Sequence, residues 1–359
     1  MTDSIWHLPV SGTMNGLKTA LFVGLWVLLL PFTVQAGKDN VPDLSGNYNV
    51  ATLTPLERPK MFGDNLYLTK EAAEKIASDK ADAIEASSQV SDPNREAPPD
   101  GGDGSRGAAG NVGGYNSFWI DNGDDAFEID GRFRTSIIYD PADGRRQRTE
   151  EAAKVRIKLF AQFAKPNKGE AWWLKTGDRG PYDDPELRPL AERCLLGFGS
   201  TAGPPMLPVL YNNLKRIVQT PDHIMILNEM VHDARIVRLN SEHLPDDVRK
   251  WMGDSIGHWD GDTLVVDTTN FKVTSSFGGA GKDLHVVERF TRKDDKTIIY
   301  NFTVEDPAVW EKPWSGEYPW PRTDDTVFEY ACHEGNYALG NILRGARLLE
   351  AETESVSSE

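Results

Sequence analysis

Between Leu214 and Cys332 the chain is a succession of short, alternating apolar and polar segments with little between them. Arg216 to Thr220, His223 to Leu227, Ala234 to Leu239 and Thr263 to Thr268 have the period of two that marks half-buried strands. Leu284 to Arg292, Thr297 to Glu305 and Thr326 to Cys332 continue the series. Asp260-Gly261-Asp262 and Asp294-Asp295-Lys296 are turns between such segments. Connections this short join antiparallel neighbours, because a parallel pair needs a long crossover. A meander that closes on itself also removes its exposed edges. The expected fold is therefore mainly β: an antiparallel barrel or strongly curved meander sheet, lipocalin-like, with flanking helices.

The helices are marked by caps. Thr69 is placed to cap a helix running to about Ser87, and Thr149 one that carries Val155, Leu159, Phe160 and Phe163. Asp184 followed by Pro185 opens a third. Asn336 is the cap expected for a last helix with the stripe Leu339, Ile342, Leu343 and Ala346. Phe118 to Asp121 and Arg132 to Tyr139 read as further strands, and Asp140-Pro141-Ala142-Asp143-Gly144 as a turn. Ser88 to Gly114 is rich in Ser, Pro, Asp and Gly and predicts a long mobile loop. The boundaries are a leader at 1–36, an N-terminal extension at 37–114, a β domain at 115–350 and a disordered tail at 351–359.

The leader reads as a signal peptide. Lys18 precedes the apolar run Ala20 to Leu30, and Val34-Gln35-Ala36 resembles a cleavage site. Periplasmic or secreted localisation is expected, with an uncleaved anchor as the alternative. In an oxidising compartment Cys194 and Cys332 are candidates for a disulfide, with two buried free thiols as the other outcome. The formal net charge of −16 disfavours nucleic acid and anionic membrane surfaces as partners. A cationic or neutral small organic molecule is compatible with that charge.

Three polar groups are candidates for chemistry. In Asn228-Glu229-Met230-Val231-His232-Asp233-Ala234-Arg235, carboxylates flank an imidazole between two strands. That arrangement suits acid–base work or metal ligation. Glu229, His232 and Asp233 are the expected catalytic groups, with Arg235 as an anion clamp; the competing reading is a hairpin with solvated charges. In Cys332-His333-Glu334-Gly335-Asn336-Tyr337, His333 and Glu334 are candidates for the opposite wall, and Asn336 and Tyr337 for substrate binding. His258 belongs to a third group, and a satisfied surface histidine is its expected state. His285 and Glu288 fall on opposite faces of their strand.

Zinc is the favoured ion if His223, His232, His258, His285 and His333 converge, although their spacing does not force convergence. The H-E-x-x-H and G-x-S-x-G patterns are absent. Gly102-Asp103-Gly104-Ser105-Arg106-Gly107 matches G-x-G-x-x-G but lacks the strand and helix that motif needs. Asp306 to Pro321, which holds Trp310, Trp314, Tyr318 and Trp320, reads as an aromatic covering loop or a ligand-binding barrel mouth.

Several of these segments carry a resemblance. They include Gly203-Pro204-Pro205-Met206-Leu207-Pro208, Glu229-Met230-Val231-His232-Asp233-Ala234-Arg235 and Gly261-Asp262-Thr263-Leu264-Val265-Val266. Val287-Glu288-Arg289-Phe290-Thr291-Arg292 and Tyr330-Ala331-Cys332-His333-Glu334-Gly335-Asn336-Tyr337 complete the set. Together the chain resembles a family of uncharacterised exported bacterial proteins over about half its length. The resemblance implies export and a shared fold, and it supplies no substrate. The functional expectation is an exported small-molecule-binding protein that, if it is an enzyme, uses histidine and carboxylate acid–base chemistry. The alternatives are a non-catalytic periplasmic carrier and an envelope scaffold.

Overall fold

The computed structural model describes residues 41–87, 94, 120–163, 169–176, 179–198, 201, 203–272 and 277–357. The leader, residues 88–93 and residues 95–119 lie outside the described residues. So, with them, do nearly all of the expected mobile loop and the first half of the expected strand from Phe118 to Asp121, whose other half, Ile120 and Asp121, forms no strand. Twelve strands are present among those described. The first four are β1 (Gly46–Asn49), β2 (Glu128–Ile129), β3 (Arg132–Phe133) and β4 (Ile138–Asp140). Then come β5 (Leu214–Gln219), β6 (His223–Asn228), β7 (Ala234–Leu239), β8 (Asp254–Asp260) and β9 (Thr263–Thr269). The last are β10 (His285–Arg292), β11 (Thr297–Glu305) and β12 (Trp314–Thr323). The helices are α1 (Lys70–Ser87), α2 (Glu150–Phe163) and α3 (Tyr337–Ser357).

The sheet closes. Its order runs β1-β5-β6-β7-β8-β9-β10-β11-β12, β12 pairs back to β1, and β4 adds to the outer side of β12. This is a barrel of nine strands, with β2 and β3 forming a separate hairpin. Nine strands cannot all alternate in direction around a ring, so at least one adjacent pair must be parallel. That pair is β7 and β8, with Val237 opposite Ser255. Residues 240–253 supply the long connection that a parallel pair requires.

Three caps form as expected: Thr69 Oγ1 accepts from Ala72 N, Thr149 Oγ1 from Ala152 N, and Asn336 Oδ1 from Leu339 N. Asp184 also caps, accepting from Glu186 N at 2.8 Å, but only a single 3-10 turn, Pro185–Leu187, follows. Arg132 to Tyr139 is split into β3 and β4 rather than one strand. The expected tail is helical instead: α3 runs to Ser357. It is pinned there by Trp173 Nε1 donating to Glu350 at 2.6 Å and Ala171 N donating to Thr353 Oγ1.

The last barrel strand is also a correction. It is Trp314–Thr323, read from sequence as part of a covering loop, whereas Thr326 to Cys332 makes no strand. Glu317 N donates to Ile137 O, so the odd-numbered amides of β12 point away from β11. Pro319 and Pro321 share that parity and remove no donor from the β11 ladder. Trp314, Tyr318 and Trp320 take the other parity and are buried inside the barrel.

The lumen is filled. Phe290, Tyr300, Phe302 and Trp320 stack along the axis with ring centroids 4.8–5.5 Å apart. The segment holding Met206 enters this core. Met206 N donates to Tyr300 Oη at 2.9 Å, and Tyr318 Oη donates to Met206 O at 2.7 Å. The two tyrosines thus satisfy a strand-free piece of backbone that burial would otherwise leave unpaired.

Candidate functional site

A volume open to a ligand lies at one end of the barrel, outside its core. A cleft of about 1160 Å³ is bounded by Asn49 and Leu214 at the strand ends, and by Glu229 in the β6–β7 turn. Its far wall is the segment after β12, from Asp325 to Cys332, with Asn336, Leu339 and Ile342 of the α3 region. Phe198 and Tyr211, in edge contact at 6.5 Å, line it and also line a second cleft of about 610 Å³. The second cleft is walled by Leu53 to Leu56, Leu207 to Leu210 and Met230, and is largely apolar.

The β6–β7 turn is held in an unusual backbone. Val231 has φ 60° and His232 φ 43°. A β-branched residue in the left-handed region costs about 1–3 kcal/mol and persists only where packing fixes it. Packing does so here: Met230 and Val231 are buried, and Met230 Sδ meets Phe198 N and Thr201 Oγ1. The turn is also tied to the far wall. Glu229 Oε1 accepts from Phe328 N at 3.0 Å, and His232 Nδ1 lies 3.0 Å from Tyr330 O.

The disulfide is the second tie. Cys194 and Cys332 are joined across 138 residues, and both line the large cleft. Asn336 reinforces it, with Nδ2 donating to Glu192 O at 2.7 Å. Reducing the disulfide, or substituting Cys332→Ser, is expected to release this wall while the barrel persists. Hydrogen exchange should show residues 326–336 losing protection by about tenfold or more, with β10 and β11 unchanged, because local opening follows the weakest ties.

The sequence candidates divide accordingly. Glu229 lines the cleft and is only 5% exposed. Asn336 lines it too. His333, Glu334 and Tyr337 are exposed and do not line either cleft, because the turn ahead of α3 carries them to the outer surface. Arg235 is no anion clamp. It lies inside the barrel, where Nη1 and Nη2 donate to Glu288 at 2.7 and 3.1 Å. Glu288 Oε1 also accepts from Tyr300 Oη at 2.8 Å. The parity that set Glu288 opposite in face to His285 puts it in the lumen, while His285 meets Asp267 at 3.1 Å on the outer wall.

The five histidines do not converge. His223 and His258 are exposed, His285 and His232 have the separate partners just given, and His333 is on the outer surface. Among the described residues no three His, Cys, Asp or Glu side chains are gathered to hold a metal ion.

Two titratable groups back the turn. Lys215 is fully buried on the inner face of β5, and its Nζ donates to Thr201 O at 2.7 Å. Burial lowers its pKa to about 7 against the opposing pull of Glu229 and Asp233. Burial raises Asp233 to about 6, with His232 and Lys215 pulling it down. Lys215 escaped the sequence reading, although its parity with Ile217 on one strand marks it as inward-facing. Phe198 and Tyr211 lie in irregular segments without periodicity, and Asp121 ends a segment read as a strand but lies in none, so only the folded chain brings them to the cleft.

No family model matches the chain, and no curated protein matches it. Among solved structures, a mutant of the fluorescent protein UnaG matches at 16% identity, covering 31% of this chain and 72% of that chain with a TM-score of 0.20. So low a score leaves the description of the barrel resting on its strand pairings.

Proposed function

We propose that the protein is exported and binds a small organic molecule in the cleft between the β6–β7 turn and the segment after β12. The observation that carries this reading is the cleft itself: about 1160 Å³, walled by Phe198, Tyr211, Leu339 and Ile342, with the nearly buried Glu229 among them. Concave, mostly apolar volumes with a few placed polar groups are the usual form of ligand sites. The filled lumen favours a ligand on the barrel's end rather than along its axis.

Nile red, a neutral dye, serves as the probe. Saturable fluorescence enhancement is expected with the wild-type protein and at least about a fivefold loss of affinity with Leu339→Glu, which sets a charge on the apolar wall. Equal binding by both proteins, or none by the wild type, overturns the reading.

Export is supported by the leader and by the disulfide in a chain with two cysteines. Intact-mass measurement on protein recovered from the periplasmic fraction is expected to show a chain beginning near Gly37. A chain retaining residues 1–36 there contradicts cleavage.

A catalytic reading has one supporting observation, the Glu229, Asp233 and Lys215 cluster with two pKa values displaced toward neutrality. In that reading Glu229 is the acid–base group, since it alone of the three lines the cleft. Turnover of any bound substrate should then fall by about 100-fold or more in Glu229→Gln and be unaffected in His333→Ala.

A further inference from the structure

The charge on the cleft wall is one-sided. Asp121, Glu192, Glu229, Asp325 and Glu329 line it, and among the described lining residues there is no Lys, Arg or His. Four aromatic rings, Phe198, Tyr211, Phe328 and Tyr330, share the same walls. Phe328 is 70% exposed and Phe198 50% exposed, so apolar ring surface stands open beside the carboxylates. Contiguous apolar surface of this kind marks interaction sites.

Glu229 supplies the focus. It is more than nine-tenths buried, one of its oxygens is held by Phe328 N, and the other accepts no hydrogen bond from a described residue. That second oxygen keeps solvent-accessible surface, so a ligand donor entering the cleft can reach it and form a charge-assisted hydrogen bond. Lys215 acts on Glu229 from the lumen side, but its ammonium is committed to Thr201 O and is itself driven toward the neutral form by burial. On the opposite side Asp121 is raised by burial and by the charges of Asp124 and Asp325, with Lys80 as the opposing cation. Arg188 pairs with Glu192 at 2.8 Å and neutralises that member of the set, so the negative potential of the wall comes from Asp121, Glu229, Asp325 and Glu329.

Carboxylates set among aromatic faces are the chemistry that recognises organic cations: the charge pairs with the acid and the ring quadrupoles add to it. An anionic ligand meets like charge from at least two sides. We propose that the cleft selects an organic ammonium ion carrying an apolar body, its ammonium at Glu229 and its body against Phe198, Tyr211 and Leu339. This rests on the ligand-binding reading above and names the class of ligand.

The test compares three indoles of one shape by titration calorimetry: tryptamine as cation, indole-3-ethanol as neutral and indole-3-propionate as anion. Tryptamine is expected to bind at least about tenfold tighter than indole-3-ethanol, with the anion weakest. Raising salt from about 20 to about 500 mM should weaken tryptamine severalfold and leave the alcohol unchanged. Glu229→Gln should cost tryptamine about tenfold and the alcohol less than about twofold. Glu329→Gln, on the exposed lip, should cost tryptamine a smaller factor and guards against a misfolded Glu229 variant. Equal affinity for the three probes overturns the cation preference while the ligand-binding reading stands. Absence of binding by all three, together with no Nile red binding, removes both.

Discussion

Replacing Arg235 by Leu is expected to lower the unfolding free energy by about 3–5 kcal/mol, as is replacing Glu288 by Leu, while the double variant recovers most of that loss. The two side chains are 2% and 0% exposed and meet through two parallel hydrogen bonds. Neither charge can reach water when the other is removed. A lone buried charge costs far more than a neutral pair of similar volume, which is why the single variants suffer and the double variant does not. Tyr300 sharpens the asymmetry. In Glu288→Leu its hydroxyl loses an acceptor but still receives Met206 N, whereas in Arg235→Leu a carboxylate keeps only the tyrosine. Chemical denaturation of the three variants gives the coupling energy directly as a double-mutant cycle. A double variant as unstable as the sum of the singles contradicts this account. Neither single variant should alter Nile red affinity beyond what reduced stability explains, since the pair does not line the cleft.

The same pair shows what the sequence carried. Glu288 falls on a strand whose alternation set it on the opposite face from His285, but neither the inward turn of Arg235 nor the partnership of the two across the lumen was legible. It depends on closure of the sheet, which places β7 and β10 opposite one another. Antiparallel pairing of β5 with β6, β6 with β7, β8 with β9 and β10 with β11 followed from short turns, whereas β9 and β10 pair antiparallel across the longer 270–284 connection. The parallel step at β7 and β8 had no distinguishing signal, because its 240–253 connection is no longer than the 270–284 connection that joins the antiparallel β9 and β10. β12 was misread because prolines usually break strands; they fit here where the chain has no ladder partner on that side.

Of the candidate site, the expected facing of residues 229–235 and 333–337 is met by the stretch just before the latter, Phe328 to Tyr330, while His333, Glu334 and Tyr337 are exposed outside the cleft. Hydrogen bonds from Phe328 N to Glu229 and between His232 and Tyr330 O make that contact. Residue types alone could not say which members face inward. Glu229 turned toward the cleft, Arg235 toward the lumen and His333 toward solvent, each by local backbone geometry.

Lys215→Met is expected to raise stability near neutral pH by about 2 kcal/mol or more and to abolish one branch of the protein's pH dependence. Methionine keeps the length and flexibility of the side chain without its charge. In the folded protein Lys215 is lowered from 10.5 to about 7 by burial. A group lowered in this way contributes its full stability above the unfolded pKa and loses it as pH falls toward the folded value. Stability of the wild type should therefore climb between about pH 7 and about pH 10, at up to about 1.4 kcal/mol per pH unit. Asp233 works in the opposite sense. Its pKa is raised to about 6, so its contribution is complete below about pH 4 and lost as pH rises through 6. The two groups together produce a shallow minimum between about pH 6 and about pH 7. Lys215→Met should keep the acid branch and flatten the alkaline one, and Asp233→Asn should do the reverse. The hydrogen bond from Lys215 to Thr201 O is the opposing cost in the methionine variant, about 1–2 kcal/mol for an unpaired buried carbonyl, and it is smaller than the charge penalty it removes. Melting temperatures measured from about pH 5 to about pH 10 decide the matter: an alkaline branch that survives in Lys215→Met assigns the titration to another group and refutes the role of this lysine.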